Sequence, residues 1–387
     1  LKCAVVTTTS PDIVSALDGL CDRLSGGLDG HRPSLLMAYF TPHHSGEVAV
    51  LRKRLLDRLA PRVLLGCPGH GIIGGDVEVE GQAGLTLWGA HWPGCELTPF
   101  QLEVDEEDGE PTLVGWPEDV APESGFLVLG DPYTTPGDTL LAGFVERFPG
   151  APVVGGMSSG TQGPGQALFV TNDGIADEGC IGVAIGGSVR IDPVVSQGCR
   201  AVGRHFVITK AKQNIILELG GKPALGQLRE MFNDVEPEDR ELMRTALHVG
   251  RVVDERKSSY GRGDFLVRNV LGIDPKNDAL AINDFVRPGQ TIQFMVRDSS
   301  AASEDLSELL SDEARRGPAL GAMLFSCNGR GTNFFGTPHH DIRGLHAEFA
   351  DCATAGFFAN GEIGPVGGQP FLHGFTASIA LFRPSGE

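Results

Sequence analysis

Gly356-Phe-Phe-Ala-Asn-Gly-Glu-Ile-Gly-Pro-Val-Gly-Gly-Gln-Pro-Phe-Leu-His-Gly-Phe-Thr-Ala-Ser-Ile-Ala-Leu-Phe382 reads as strand, glycine-rich turn, strand. The strand covers 354–358, the turn Gly361 to Gly368, and the last strand Phe375 to Phe382. Just upstream, Ala322 to Ser326 reads as a buried strand and Asp341 to Phe349 as a short helix. The order strand, helix, strand, glycine turn, strand occurs twice more. The first copy has strands at Ser34 to Phe40 and Val63 to Gly66, with a helix between them that starts at Ser45 and ends near Leu59. Strands at Val77 to Glu80 and Leu85 to Trp88 complete it. The second has Phe126 to Gly130, a helix over Asp138 to Phe148, Val153 to Gly155, then strands at Ala167 to Val170 and Cys180 to Ile185.

Two details tie the copies together. Each carries Gly-x4-Gly at its turn: Gly66 and Gly71, Gly155 and Gly160, Gly356 and Gly361. Thr-Pro-His-His stands at Thr41 to His44 and again at Thr337 to His340, each time between the first strand and the helix. The fold expected is α/β in the mixed α+β sense. Its mixed sheets are built from repeated β-α-β-β units in two related halves, with helices packed outside. Before the first copy, a helix over Asp12 to Gly26 starts at Ser10-Pro11. Between the second and third, Val194 to Ala211 reads as strands, and 212–221, 223–233 and 238–247 as short helices. Strands follow at 264–268 and 291–296, then a helix over Ser303 to Arg315 capped by Ser303. The change of pattern near Arg190 sets the division: 1–32 as an N-terminal segment, 33–190 and 191–387 as two domains.

The 387 residues carry 50 acidic and 31 basic side chains, a net charge of -19. No basic block is dense enough to track phosphates, so a nucleic-acid partner is not expected. No apolar run reaches the length of a membrane span, and the acidity disfavours anionic membranes. The eight cysteines are dispersed and none forms C-x-x-C, the pattern of a reduced, cytoplasmic protein with neither a disulfide framework nor a zinc site. No cofactor is expected.

Familiar catalytic patterns are incomplete. Gly69 to Gly74 fits G-x-G-x-x-G, but Val77-Glu-Val-Glu80 alternates like a strand where a dinucleotide site needs a helix. Gly156-Met-Ser-Ser-Gly160 fits G-x-S-x-G, but Thr161-Gln-Gly-Pro-Gly165 cannot supply the helix behind a nucleophile elbow. A turn lining a cavity suits it better, because glycines let backbone N–H groups approach an anionic ligand. His43, His44, His339 and His340 sit in corresponding loops and can meet an anionic group beside His70; capping within those loops is the plainer role. Asn360, Glu362 and His373 close the last turn, and a carboxylate beside imidazole can move a proton or hold an amino group; Glu362 can equally just satisfy backbone donors in the turn. Asn328 and Arg330 follow a strand end, where Arg330 suits a carboxylate ligand or an ion pair. Cys67, Cys199 and Cys327 read first as small hydrophobes. Asp264, Arg268, Arg297 and Asp298 read as internal ion pairs.

Val194 to Arg200, Gly263 to Asn269, Gln293 to Asp298 with Glu304-Asp-Leu306, and Gly356 to Thr376 together resemble the C-terminal domain of FIST proteins. The strand before Gly66, the turn Gly66-Cys-Pro-Gly-His-Gly71 and Val153 to Gly160 resemble the N-terminal FIST domain. The resemblance implies a sensory module that binds a small polar metabolite, an amino acid or a relative of one. The ligand would lie between the two halves and be read out by a protein signalling partner. The ligand-binding set expected is His43, His44, Gly66, Cys67, His70, Gly71, Ser158, Ser159, Gly160, Asn328, Arg330, His339, Asn360, Glu362 and His373. The alternative is a hydrolase or transferase using Glu362, His373 or a cysteine in the same cleft.

Overall fold

The computed structural model describes residues 1–107 and 109–386. They fall into two compact units: 1–195 with 307–372 and 376–387, and 196–306 with 373–375.

Three β-α-β units shape the first. Leu35–Phe40 and Val63–Pro68 run parallel around the helix Val48–Leu59. Gly125–Gly130 and Val153–Met157 do so around Gly137–Arg147, and Gly321–Cys327 and Ala353–Ala359 around His340–Glu348. A parallel pair needs such a crossover, and burial on both faces explains why these strands are unbroken apolar runs. A return strand lies antiparallel to the first strand of each unit: Leu85–His91, Cys180–Gly187 and Thr376–Pro384.

Side-chain alternation decides the layers. Leu36, Ala38 and Phe40 pack under the helices Ile13–Gly27 and Val48–Leu59. Met37 and Tyr39 point the other way, into a core shared with Leu127, Leu129, Met323 and Phe325. Three sheets thus face one core, and helices cover their outer faces, as the mixed α+β reading requires.

The hairpin that follows each second strand pairs with a different unit. Gly71–Gly74 with Val77–Glu80 adds to Ala353–Ala359. Phe169–Thr171 with Ile175–Ala176 adds to Val63–Pro68, and Glu362–Val366 to Val153–Met157. The exchange closes in a cycle. The first glycine of each Gly-x4-Gly sits where three strands meet: Gly66 between Ala38 and Val170, Gly155 between Val128 and Ile363, Gly356 between Leu324 and Ile73. A Cβ there would lie 2.5 Å from the Ala38 carbonyl oxygen, 1.8 Å from that of Val128 and 1.8 Å from that of Leu324. Only glycine fits.

In the second unit the order Cys199–Lys212, Thr291–Arg297, Leu247–Val252, Phe265–Asp274, Ala279–Ile282, Ile215–Leu219 returns to the first strand. This antiparallel sheet closes on itself and leaves no free edge in that ring. A register shift between Val202 and His205 bends the long first strand. Helices Ala224–Asp234 and Pro237–Ala246 add Leu225, Met231 and Met243 to its core. Asp264 pairs with Lys257, Arg268 with Asp284 and Arg200 with Asp298, while the Arg297 guanidinium lies 4.5 Å from the Phe375 ring centroid.

Several local expectations are corrected. Residues 212–221 are a strand end, a turn and the strand Ile215–Leu219; ring closure outweighs the helical reading. The helix expected from Ser303 begins at Ser299, because Asp298 Oδ1 accepts the Ser300 and Ala301 N–H groups. Asp12, not Ser10-Pro11, caps the first helix by accepting from Ser15 N–H. Ser45 lies within a 3-10 turn, Pro42–Glu47, and caps nothing. The turn expected over Gly361 to Gly368 is mostly strand, since Glu362–Val366 finds its partner in Val153–Met157, far upstream.

Candidate functional site

All three second strands end in one place. The Ser159 N–H donates to the Pro68 carbonyl at 3.3 Å. The Ser159 hydroxyl accepts from the His70 N–H at 2.7 Å and donates to the Phe358 carbonyl. Met157 N–H donates to the Gly361 carbonyl at 2.8 Å, and Asn360 N–H to the Met157 carbonyl at 3.0 Å. The ends of two first strands join: Ser158 N–H donates to the Gly130 carbonyl at 2.7 Å, Asn328 N–H to the Ala359 carbonyl at 2.9 Å. Gly160, at φ 81°, lets the turn press on Pro42 and His70; a Cβ would lie 2.5 Å from Pro42 Cγ. Ligands favour the carboxyl ends of strands in open α/β sheets, and this junction gathers several of them.

His70, Asn328 and Asn360 are exposed here, whereas Ser158 and Glu362 are fully buried. Glu362 Oε2 accepts from the Thr376 N–H at 3.2 Å and its hydroxyl at 2.8 Å. Oε1 has no hydrogen-bond partner, nor has the Ser158 hydroxyl. Burial pushes the Glu362 carboxyl up to about 8, against the opposing pull of Thr376, the neighbouring Cys327 thiol and Arg330. Glu362 is therefore largely uncharged at neutral pH.

Arg330 is also fully buried. Its Nε and one terminal nitrogen donate to the two Asp341 oxygens at 2.7 and 2.8 Å, and its guanidinium lies 5.0 Å from the Phe335 ring centroid. The Ser326 hydroxyl adds a 2.7 Å bond to Asp341. Burial opposes the Asp341 charge, but Arg330 overrides it and holds the carboxyl well below its usual range. Glu78, from the exchanged hairpin, accepts from the Ile342 N–H at 2.9 Å. Burial and then the Asp341 charge push its carboxyl well above the usual range. Arg330 thus has its carboxylate inside the chain, in a buried ion pair rather than at the surface.

Other expected residues lie elsewhere. Gly66 and Gly71 serve backbone packing, and Cys67 is in the core, where burial raises its thiol well above the ordinary value. His43 is exposed, with Nδ1 3.2 Å from the Thr41 hydroxyl. His44 is buried with neither ring nitrogen bonded, and burial lowers its pKa, favouring the neutral ring. His339 Nδ1 accepts from the Glu78 N–H at 2.9 Å, and His340 stacks on Phe335. The two His-His pairs have different surroundings. His373 is buried and groups with the second unit.

Asp341, Ser326, Glu78 and Thr376 were not among the expected residues. Asp341 directly follows the second Thr-Pro-His-His, a usable signal. Glu78 alternates with Glu80 as if facing solvent, and nothing local announces the exchange that buries it. A cavity of about 280 Å³ lies at the far end of strand Val153–Met157, between Phe144, Phe148, Ala151 and 367–370. It holds none of the polar strand-end groups. Among the described residues no group of three or more His, Cys, Asp or Glu is placed to hold a metal. No helix among them is long and apolar enough to cross a membrane.

The FIST N domain model matches residues 34–222 and the FIST C domain model residues 224–365. The chain is 36% identical over 384 residues to the uncharacterized protein Mb0898c of Mycobacterium bovis, covering 99% of each. It is equally similar to the uncharacterized protein Rv0628c of Mycobacterium tuberculosis, covering 99% of this chain and all of that one. FIST domains are generally regarded as small-ligand-binding sensory domains of signalling proteins. Matched by both domain models and by full-length relatives, the chain belongs to the FIST family.

Proposed function

We propose that the junction of strand ends binds a small polar metabolite, an amino acid or its oxo-acid relative, and that a protein partner reads the bound state. The three β-α-β units are, on this reading, an internal repeat whose cyclic exchange holds the junction rigid. The observation that carries the reading is the pair of buried groups without partners, Glu362 Oε1 and the Ser158 hydroxyl. Each such group costs about 1–3 kcal/mol, and a ligand that supplies the missing partners accounts for keeping both beside one junction. A ligand ammonium group suits Glu362, and a ligand carboxylate suits the exposed amides of Asn328 and Asn360 and the imidazole of His70. FIST N residues (70, 158–160) and FIST C residues (328, 360, 362) both lie at the junction, which supports a ligand held by both halves of the sequence.

The test is a thermal-shift panel of amino acids and short oxo and hydroxy acids. At 100 times its Kd a ligand adds about 2.7 kcal/mol to stability, a readily measured rise in Tm. At least one compound is expected to raise the wild-type Tm, with the shift lost in Glu362→Gln. A panel without effect, or a shift kept in both Glu362→Gln and Ser158→Ala, would refute the reading.

A further inference from the structure

The hairpin Gly71–Gly74 with Val77–Glu80 belongs to the first β-α-β unit and lies on Ala353–Ala359 of the third. Two acidic side chains of its last strand fasten it there. Glu78 and Glu80 stand two residues apart, so they point to one face. Glu80 Oε1 accepts from the Thr332 N–H at 3.1 Å and from the Thr332 hydroxyl at 2.7 Å. Glu78 Oε1 accepts from the Ile342 N–H at 2.9 Å, in the first turn of His340–Glu348. The Glu78 N–H donates to His339 Nδ1 at 2.9 Å, so that nitrogen carries no proton. Glu78 is buried, and its Oε2 has no hydrogen-bond partner. The residue before Ile342 is Asp341, a carboxylate fixed by two Arg330 nitrogens, with His340 Nδ1 at 3.0 Å. The charged and titratable groups around Glu78 are thus Asp341 with Arg330 and His340, then His339, and Glu80 on its own strand. A second negative charge here would leave Oε2 without a donor and stand beside Asp341. Burial and like charge therefore keep the proton on Glu78.

We propose that this hairpin is a proton-operated latch, which closes on the chain from 331 to 342 with Glu78 protonated and opens as Glu78 releases that proton to water. His70 directly precedes the hairpin, and its N–H donates to the Ser159 hydroxyl, so the latch also sets how firmly that turn of the junction is held. The sign follows from linkage. Below 4.5, the ordinary value, Glu78 is protonated whether the hairpin is open or closed, and pH has no effect through it. Above 4.5 the open hairpin ionises and the closed one does not, so closing takes up one proton and opening grows about tenfold per pH unit. The rise ends where the closed form ionises as well. The latch stands on the hairpin's own contacts and needs no ligand at the junction.

The test is amide hydrogen exchange of the full chain across neutral pH, read by mass spectrometry and corrected for the intrinsic exchange rate. In the wild type, protection of 71–80 and of 331–342 is expected to fall about tenfold per pH unit. Glu78→Gln keeps the shape of the protonated carboxyl and cannot ionise, so it should remove that slope. It leaves His339 in place, which separates the carboxyl from the imidazole. Glu362→Gln should leave the slope unchanged, because the opening is local to the hairpin. Protection of 71–80 that ignores pH in the wild type, or a slope that survives in Glu78→Gln, would overturn the latch. A slope reduced as much by Glu362→Gln as by Glu78→Gln would overturn it too, since the hairpin would then open only with the rest of its fold. Should Glu78→Gln not fold, the wild type and Glu362→Gln decide: equal slopes of about tenfold per unit support the latch, and a flat wild type or unequal slopes overturn it.

Discussion

The first strands of the second and third β-α-β units end at equivalent positions and put different chemistry there. After Gly125–Gly130 comes Asp131, buried, with one oxygen accepting from the Thr134 hydroxyl at 2.7 Å and the other unbonded. After Gly321–Cys327 comes a longer loop that brings Arg330 onto Asp341, with Ser326, His340 and the foreign Glu78 around them. The first loop closes a turn with one carboxyl and two threonines. The second buries a full ion pair. One backbone plan therefore carries a plain strand end and a chemically loaded one. The difference lies in side chains, not in topology.

Removing one partner of a buried ion pair strands the other charge, so Asp341→Ala should cost roughly 3–5 kcal/mol by urea denaturation. Asp131→Ala removes a single hydrogen-bonded turn and should cost only about 1 kcal/mol. Equal losses would erase the contrast between the two loops.

Glu362 sharpens it through pH. Its carboxyl titrates near 8 when folded, against 4.5 ordinarily. Below 4.5 it is protonated in both states and costs nothing by ionisation. As pH rises towards 8 the unfolded chain releases the proton and the folded chain keeps it, so this group's contribution to stability falls, then levels off. Relative to wild type, Glu362→Gln should gain stability across that window, by an amount on the order of a few kcal/mol. A gain that is flat with pH would contradict the assignment.

The shared framework gives the next effects. Gly155→Ala and Gly356→Ala drive a Cβ to 1.8 Å from a carbonyl oxygen, and each should cost roughly 3 kcal/mol. Matching losses would show that the two units obey one constraint. Ser159→Ala removes the link between His70 and Phe358 and should cost roughly 1–2 kcal/mol, read from the shift in denaturation midpoint.

Much of the framework was legible in the sequence, because local patterns carry it. The first and second strands and the crossover helices are continuous apolar or amphipathic runs, and Gly66, Gly155 and Gly356 mark the crowded crossings by their residue type alone. The hairpin exchange was not legible. Glu362–Val366 reads as a glycine turn until Val153–Met157 supplies a partner. The ring of the second unit likewise overrides the helical look of 212–221. The candidate junction was legible in part: Ser158, Ser159, His70, Asn328, Asn360 and Glu362 lie in or beside the strand-end turns that the glycine motifs point to. His339 and Arg330 were placed by residue type but are held by Glu78 and Asp341, contacts that depend on the exchange.

The most direct test of the junction as a ligand site is native mass spectrometry of the wild type and Glu362→Gln, each taken up with the same panel of small metabolites. The wild type is expected to carry a small-molecule adduct that denaturation releases intact and that Glu362→Gln lacks. A wild type that takes up nothing, or a Glu362→Gln variant that keeps the same adduct, would contradict it.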